Sequence, residues 1–310
     1  MHIVIPGALP PASVAGELSR MMGQHSPALV RLFERWVPRV VSLHPAQTGC
    51  TPAEYCMLEQ LGWVSETPSR AVGALAAMQT QTTAHDETAW IAQMCAISIG
   101  NEQVSLALPE ELELSIAESK QLLNDVLAHT PPSGFTLAPI DNQQVAHAWR
   151  VTFDEAIQYA SISPRAVSGL GVTDWWPQDP STRCWRKWLN EAQMTWHNHP
   201  INQDRTNRGL MPINGLWLYG GGSGWTLQTP DTRTLTLPHL ERSHAKGDWS
   251  EWIRALSTLD QALTQQEQVS RVSLLVDARM VVLADAERKW WSKLFSSSKQ
   301  PWSRWWNPPA

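Results

Sequence analysis

The stretch NHPINQDRTNRGLMPINGLWLYGGGSG, residues 198–224, sets two Asn-bearing proline phrases around Arg205 and Arg208 and then runs through an apolar strand into three glycines. It follows a helical stripe, and Pro200 is expected to stop that helix, because the residue before a proline is pushed out of helical geometry. A guanidinium presents a planar fork that matches carboxylate or phosphate, and an Asn amide can donate beside it. Glycines that follow a strand let backbone N–H groups approach an anion closely. His199, Asn202, Arg205, Arg208, Asn214, Gly220, Gly221 and Gly222 are therefore the candidate anion-binding residues. The same residues equally suit a rigid loop in which Asn202 and Asn214 satisfy carbonyls while the arginines pair with nearby acids. GGGSGW lacks the Lys-Ser/Thr ending of a phosphate-binding P-loop and does not open a helix as a dinucleotide fingerprint does.

Working outward, TRCWRKWLNEAQMTWHN places Trp185, Trp188, Leu189, Ala192 and Trp196 on one helical face. HIVIP at residues 2–6 reads as a buried first strand, and SPALVRLFERW as an amphipathic helix with Leu29, Leu32, Phe33 and Trp36 inward. Thr51, Pro52 and Glu54 form the start of a helix that Gly62 can end, and Ser115 with Glu118 makes a second capping box. CAISIGNEQVSLALP reads as two strands joined at Gly100-Asn101, with FTLAP and AHAWRV as further strands. Asp248 to Glu251 begin a helix with Trp249, Trp252, Ile253, Leu256 and Leu259 inward, and RVSLLVDARMVVLAD reads as paired strands. Strands and helices intermingle, so the expected class is α/β, in mixed α+β form. The expected division is an N-terminal α/β lobe (1–150), a C-terminal lobe carrying the motif (151–286) and a basic, Trp-rich tail (287–310). The tail reads either as a segment laid back on the body by its tryptophans or as an interaction tail for a protein partner or an anionic lipid surface.

With 310 residues, 43% hydrophobic content and a formal charge of −5, the chain has the material for a sizeable core and lacks the basic field of a nucleic-acid binder. Its four cysteines show no CxxC pair, which argues against a zinc site or disulfide framework and for reduced thiols. No signal-peptide pattern and no apolar run of about 18 residues occurs, so a cytoplasmic location without a transmembrane segment is expected. The 18 tryptophans against 4 Phe and 3 Tyr are unusual, and make a self-association surface plausible. Ser161, Ser163 and Ser168 lie in a loop without a GxSxG elbow, and His197 with His199 has no second ligand cluster nearby.

The spacing from His199 to Gly222 resembles a stretch of the archaeal-type, cofactor-independent phosphoglycerate mutases of the alkaline phosphatase superfamily. It resembles more closely the RpfE-type regulatory proteins of proteobacteria, often labelled phosphoglycerate mutase. This second resemblance extends to HIVIP with its Pro/Gly loop, to WIAQMCAISIGNEQVSLA, to WLNEAQMTWHNHPIN and to the Trp-rich end. The resemblance to the mutases implies a phosphatase-like scaffold with a paired-metal centre and a Ser or Thr nucleophile. Against that pattern, Pro6-Gly7 stand where the first metal-binding acid follows the first strand, and His85-Asp86 and His244 with Asp248 are isolated. Tyr219 stands where the mutases commonly carry an Arg, and Gln93-Met94 stand where the regulatory family has Asp-Pro. The expectation is therefore a partial scaffold of this type without the metal centre: a non-catalytic regulatory or ligand-binding protein for a phosphorylated small molecule, with no metal and no cofactor. The alternatives are a mutase-like or phosphatase enzyme acting on a small phosphorylated acid, and an adaptor working through the tail.

Overall fold

The fold is described from a computed structural model covering residues 1–64, 71–100, 104–108, 111–140, 147–168, 170–229, 233–284 and 302–306. In chain order the first elements are β1 (His2–Pro6), α1 (Ala12–His25), α2 (Pro27–Arg35) and β2 (Val37–Ser42). Next come α3 (Pro45–Thr48), α4 (Pro52–Gln60), α5 (Ala71–Gln79), β3 (Thr88–Ile99), β4 (Val104–Ala107) and α6 (Ile116–His129). They are followed by β5 (Phe135–Pro139), β6 (Ala148–Phe153), α7 (Pro164–Ser168), α8 (Arg183–His197), α9 (Pro200–Asn207) and β7 (Gly215–Ser223). The last are β8 (Thr234–Thr236), α10 (Glu241–Ala245), α11 (Trp249–Thr264), β9 (Arg271–Val276), β10 (Arg279–Ala284) and α12 (Ser303–Trp306). The class is mixed α/β with two sheets, as expected. No described helix is long and apolar enough to cross a membrane.

Two compact units divide the chain, one formed by 1–44 with 230–310 and the other by 45–229. These limits differ from the expected boundaries at 150/151 and 286/287, and β1 is the reason. In the first unit it lies inside the sheet β2-β10-β9-β1-β8, parallel to both β8 and β9. A strand paired on both edges and covered on its faces must be apolar throughout. Ile3 and Ile5 are fully buried, and the His2 ring is buried with Nε2 2.9 Å from the Ser273 hydroxyl. The sequence shows this buried apolar run but not that its partners lie more than 200 residues away.

Helices α1, α2 and α11 supply Leu18, Met22, Leu29, Phe33, Trp252, Leu256 and Leu259 to this unit's core. Trp306 completes it: the ring is fully buried and its Nε1 donates to the Ala8 carbonyl at 3.0 Å. Trp302 and Trp305 pack against Phe33 at 5.4 and 5.0 Å. The described part of the expected tail, residues 302–306, is thus laid back on its own unit; residues 285–301 and 307–310 lie outside the described residues.

The second unit holds an antiparallel sheet, β4-β3-β6-β5, with β7 also paired to β3. The α8 stripe is buried as its spacing predicts, and Trp188 and Trp196 donate to the carbonyls of Thr130 and Leu122. β3 and β4 are paired as expected, while Asn101 of their connection lies outside the described residues. Both expected capping boxes are formed, Thr51 with Glu54 and Ser115 with Glu118.

Candidate functional site

The expected loop after Pro200 is a helix, α9. Helix α8 does stop before Pro200, at His197, with His199 in extended geometry as expected; Pro200 then also opens α9, sitting in the first turn, where its missing N–H costs nothing and its fixed φ suits the helix. His199 is the N-cap, its Nδ1 accepting from the Ile201 N–H at 3.1 Å. Nε2 therefore carries the proton of the neutral ring, and it faces Asp125 Oδ2 at 2.9 Å. Gly209, at φ +76°, ends α9 in a Schellman motif: Leu210 N–H donates to the Arg205 carbonyl and Gly209 N–H to that of Thr206. The His-Pro opening and the Arg-Gly close of this phrase are helix start and stop signals.

The polar side chains of the phrase have internal partners. Asn202, buried, donates to the carbonyls of Trp196 and Ile213 at 2.8 and 2.7 Å and accepts from the Ile213 N–H at 2.8 Å. Asn214 exchanges a reciprocal pair with Ile97, N–H to Oδ1 at 2.7 Å and Nδ2 to O at 2.8 Å, extending the β3–β7 ladder with a side chain. Arg205 is fully buried, with Nε on the Met211 carbonyl and Nη2 on that of Leu112. Its Nη1 lies 3.7 Å from Glu118 Oε1 with no hydrogen bond. Arg208 is half exposed and bridges Glu118 at 3.2 Å and Asp204 at 3.0 Å. Burial pushes the Glu118 carboxyl upward, but hydrogen bonds from Ser115 and the two guanidinium groups hold it below its ordinary value.

The triple glycine lies at the far end of β7. Seven residues of extended chain separate Asn214 from Gly221, about 23 Å, so the eight candidate residues form two groups that no small anion spans. Gly73 on α5 meets Gly222 on β7: a Cβ on either would stand 2.5–2.6 Å from the other's backbone. Gly221 falls in a register shift between Ala89 and Trp90, at φ +90°, with the Trp90 ring where its Cβ would be. Helix and strand touch backbone to backbone. The Gly220 N–H donates to Ser161 Oγ at 2.9 Å, and the same hydroxyl donates to the Gly220 carbonyl at 2.7 Å.

Beside these glycines opens a cavity of about 850 Å³. Trp63, Tyr159, Trp175 and Trp225 line it, all half-buried, together with Ser161, Gln47 and the chain from Gly220 to Gly224. Among the described residues, none of those lining it is charged. Beneath, Glu54 is buried and accepts from the Thr51 N–H, its hydroxyl and the Ser163 hydroxyl. Burial raises its carboxyl above the ordinary value, against those bonds and Arg165. Burial likewise raises the Cys50 thiol and the Tyr219 hydroxyl, the latter donating to Gln79 Oε1 at 2.8 Å. Ser163 and Ser161 are thus occupied in bonds that hold Glu54 and Gly220. The aromatic lining is not legible in the sequence, because its four rings come from four separate connections and signal nothing locally. The run AVGALAAM, with its small residues, carried the one available hint that a backbone would approach α5 closely.

A paired-metal centre does not fit these residues. The chain leaving β1 is Pro6-Gly7-Ala8, with the Gly7 carbonyl accepting from Trp252 Nε1. His244 Nε2 contacts the Leu9 carbonyl, Asp248 caps α11, and His85 and Asp86 belong to the other unit. Among the described residues, no group of three or more His, Cys, Asp or Glu could hold a metal ion. Gln93 and Met94 lie in mid-β3 opposite Trp217 and Leu216.

No protein-family model matches the chain. Over 109 residues, 35% of its length, it is 23% identical to a probable 2,3-bisphosphoglycerate-independent phosphoglycerate mutase of Geobacter sulfurreducens. That match spans only 27% of the relative. The chain is distantly similar to cofactor-independent phosphoglycerate mutases. Among solved structures, the cofactor-independent phosphoglycerate mutase from Thermoplasma acidophilum aligns with 93% of this chain and 90% of its own, at 12% identity and a TM-score of 0.37. The PH0037 protein from Pyrococcus horikoshii aligns with 92% of this chain and 87% of its own, at 10% identity and a TM-score of 0.44.

Proposed function

We propose that this chain is a non-catalytic, regulatory ligand-binding protein of the RpfE type, and that its ligand enters the cavity beside Gly220–Gly222. The observation that carries the reading is the cavity itself: a concave, aromatic-lined space of about 850 Å³ within the range of small-molecule sites. Pro6-Gly7 in place of an acid after β1, and the structural employment of His199, Asn202, Arg205 and Asn214, support binding without turnover. In this reading α9 is a brace for the sheet, and only the glycine end of the motif meets the ligand.

The test is a thermal-shift screen of metabolites, phosphorylated and neutral, on the wild type and on Ala160→Trp. Ala160 is an exposed lining residue, where a bulky indole is intended to obstruct the cavity. A ligand at 100 times its dissociation constant stabilises by about 2.7 kcal/mol. Shifts seen in the wild type and lost in Ala160→Trp are expected; no shift at all, or shifts that persist in the variant, would refute the proposal.

A second reading is favoured by the 23% identity to the Geobacter mutase: turnover of a small phosphorylated acid. Purified protein incubated with 3-phosphoglycerate and manganese separates the two. Product formation that EDTA abolishes would replace the binding reading by this one.

A further inference from the structure

A second cavity, of about 550 Å³, lies between α8 and α9 over the chain that leads into β7, and the reading above does not use it. α9 buries Asn202 and Arg205 and leaves Gln203, Thr206 and Asn207 exposed, and those three residues line the cavity. We infer that this cavity docks an extended peptide segment of a protein partner and holds it through its main chain.

The chemistry that recognises a main chain is already present in the lining. A carboxamide sets a donor beside an acceptor, so it can pair with both the N–H and the C=O of one residue. Asn202 does this with Ile213, accepting at 2.8 Å and donating at 2.7 Å. Asn214 does it with Ile97, accepting at 2.7 Å and donating at 2.8 Å. Both line the cavity, and both are spent on the fold. Gln203 and Asn207 bring two more carboxamides to the same space, and these are not so spent. Gln203 is anchored by one bond, Nε2 to the Asn198 carbonyl at 3.0 Å, which leaves its Oε1 and second N–H for a guest. Among the described residues, the Asn207 amide and the His197 ring meet no hydrogen-bond partner, and both line the cavity. Gln193 is held by Nε2 on the Asn214 carbonyl at 2.8 Å, with Oε1 remaining, and the Thr206 hydroxyl, donating to the Asn202 carbonyl, can still accept. Anchored side chains lose little freedom on binding. Donors and acceptors offered in adjacent pairs match the alternation of an extended main chain. Recognition of this kind draws affinity from backbone bonds and reads the partner's side chains only weakly.

The experiment is phage-display selection of short peptides on the immobilised full chain, followed by fluorescence anisotropy with the selected peptides carrying fluorescein. Asn207→Leu and Gln203→Leu should each weaken binding by about tenfold, the loss of a two-bond pair, with an unchanged circular dichroism spectrum. Methylating a central main-chain nitrogen of the peptide should weaken it by about tenfold, and alanine at the same position by less than about threefold. Ala160→Trp, which obstructs the other cavity, should leave the peptide unaffected. The inference is overturned if no peptide is enriched over selection on the Asn207→Leu/Gln203→Leu double variant. Indifference to those substitutions or to nitrogen methylation overturns it too. So does binding of maltotriose that Asn207→Leu abolishes when no peptide binds, since a polyol would then be the guest. None of these outcomes bears on the cavity beside Gly220–Gly222, whose own test is the metabolite screen.

Discussion

Replacing Asn202 by alanine separates the bracing role of α9 from a ligand-binding one. The side chain makes three buried hydrogen bonds of 2.7–2.8 Å, two to carbonyls and one from the Ile213 N–H. Alanine leaves that buried N–H without its partner, at roughly 2 kcal/mol, and each carbonyl loses a donor at roughly 0.5–1 kcal/mol. The expected loss is about 3–4 kcal/mol, a large part of the 5–15 kcal/mol that holds a typical protein folded. Urea-induced unfolding followed by tryptophan fluorescence reads it as a lower midpoint at unchanged slope. Asn202→Asp should cost at least as much, since a carboxylate oxygen would face two carbonyl oxygens. A loss under 1 kcal/mol, accompanied by failure to bind a phosphorylated compound that the wild type binds, would refute the bracing argument and restore Asn202 to a ligand site.

Gly73→Ala should destabilise by about 1–3 kcal/mol, because its Cβ would stand 2.5 Å from the Gly222 backbone; Gly23→Ala, with nothing within 4 Å, should stabilise by about 0.5–1 kcal/mol. Equal effects in chemical denaturation would deny the close α5–β7 approach. Trp306→Ala should cost about 3–5 kcal/mol, as a fully buried indole does, and a cost below 1 kcal/mol would mean that the C-terminal end does not seal its unit in solution. Burial, Arg271 and the N-terminal amine lower the His2 imidazole from 6.5 to about 4. Between those values the unfolded chain binds more protons than the folded one, so this contribution is full above pH 6.5 and is lost as pH falls through 4, by about 3 kcal/mol. Relative to His2→Gln, wild-type stability should fall across that window; parallel pH profiles would show that His2 protonates freely in the fold.

Much of the local architecture was legible in the sequence, because its signals are themselves local. The Thr51–Glu54 and Ser115–Glu118 boxes, the α8 stripe and the apolar run of β1 all fold as their patterns demand. The candidate site was less legible. A proline preceded by His and followed by two helical turns reads as a stop or as a start, and here it is both: α8 ends at His197 and α9 begins at Pro200. Asn202 and Asn214 find their partners at Trp196, Ile213 and Ile97, which no spacing rule foretells. A glycine run after a strand signals close approach but not what approaches, a ligand or another part of the chain. The approaching backbone is that of α5. The division at 44/45 and 229/230 was equally hidden, since a strand does not announce how far along the chain its neighbours lie.

The placement of β1 between β8 and β9 has a consequence for biosynthesis. At translation rates of about 5–20 residues per second, the nascent first strand waits on the order of 15–50 s before β9 leaves the ribosome. Residues 45–229 are continuous and can mature during that interval, whereas the apolar HIVIP edge stays unpaired. That edge therefore stays open to wrong pairing through most of synthesis, and shielding this short segment until β9 arrives would protect the first unit's sheet.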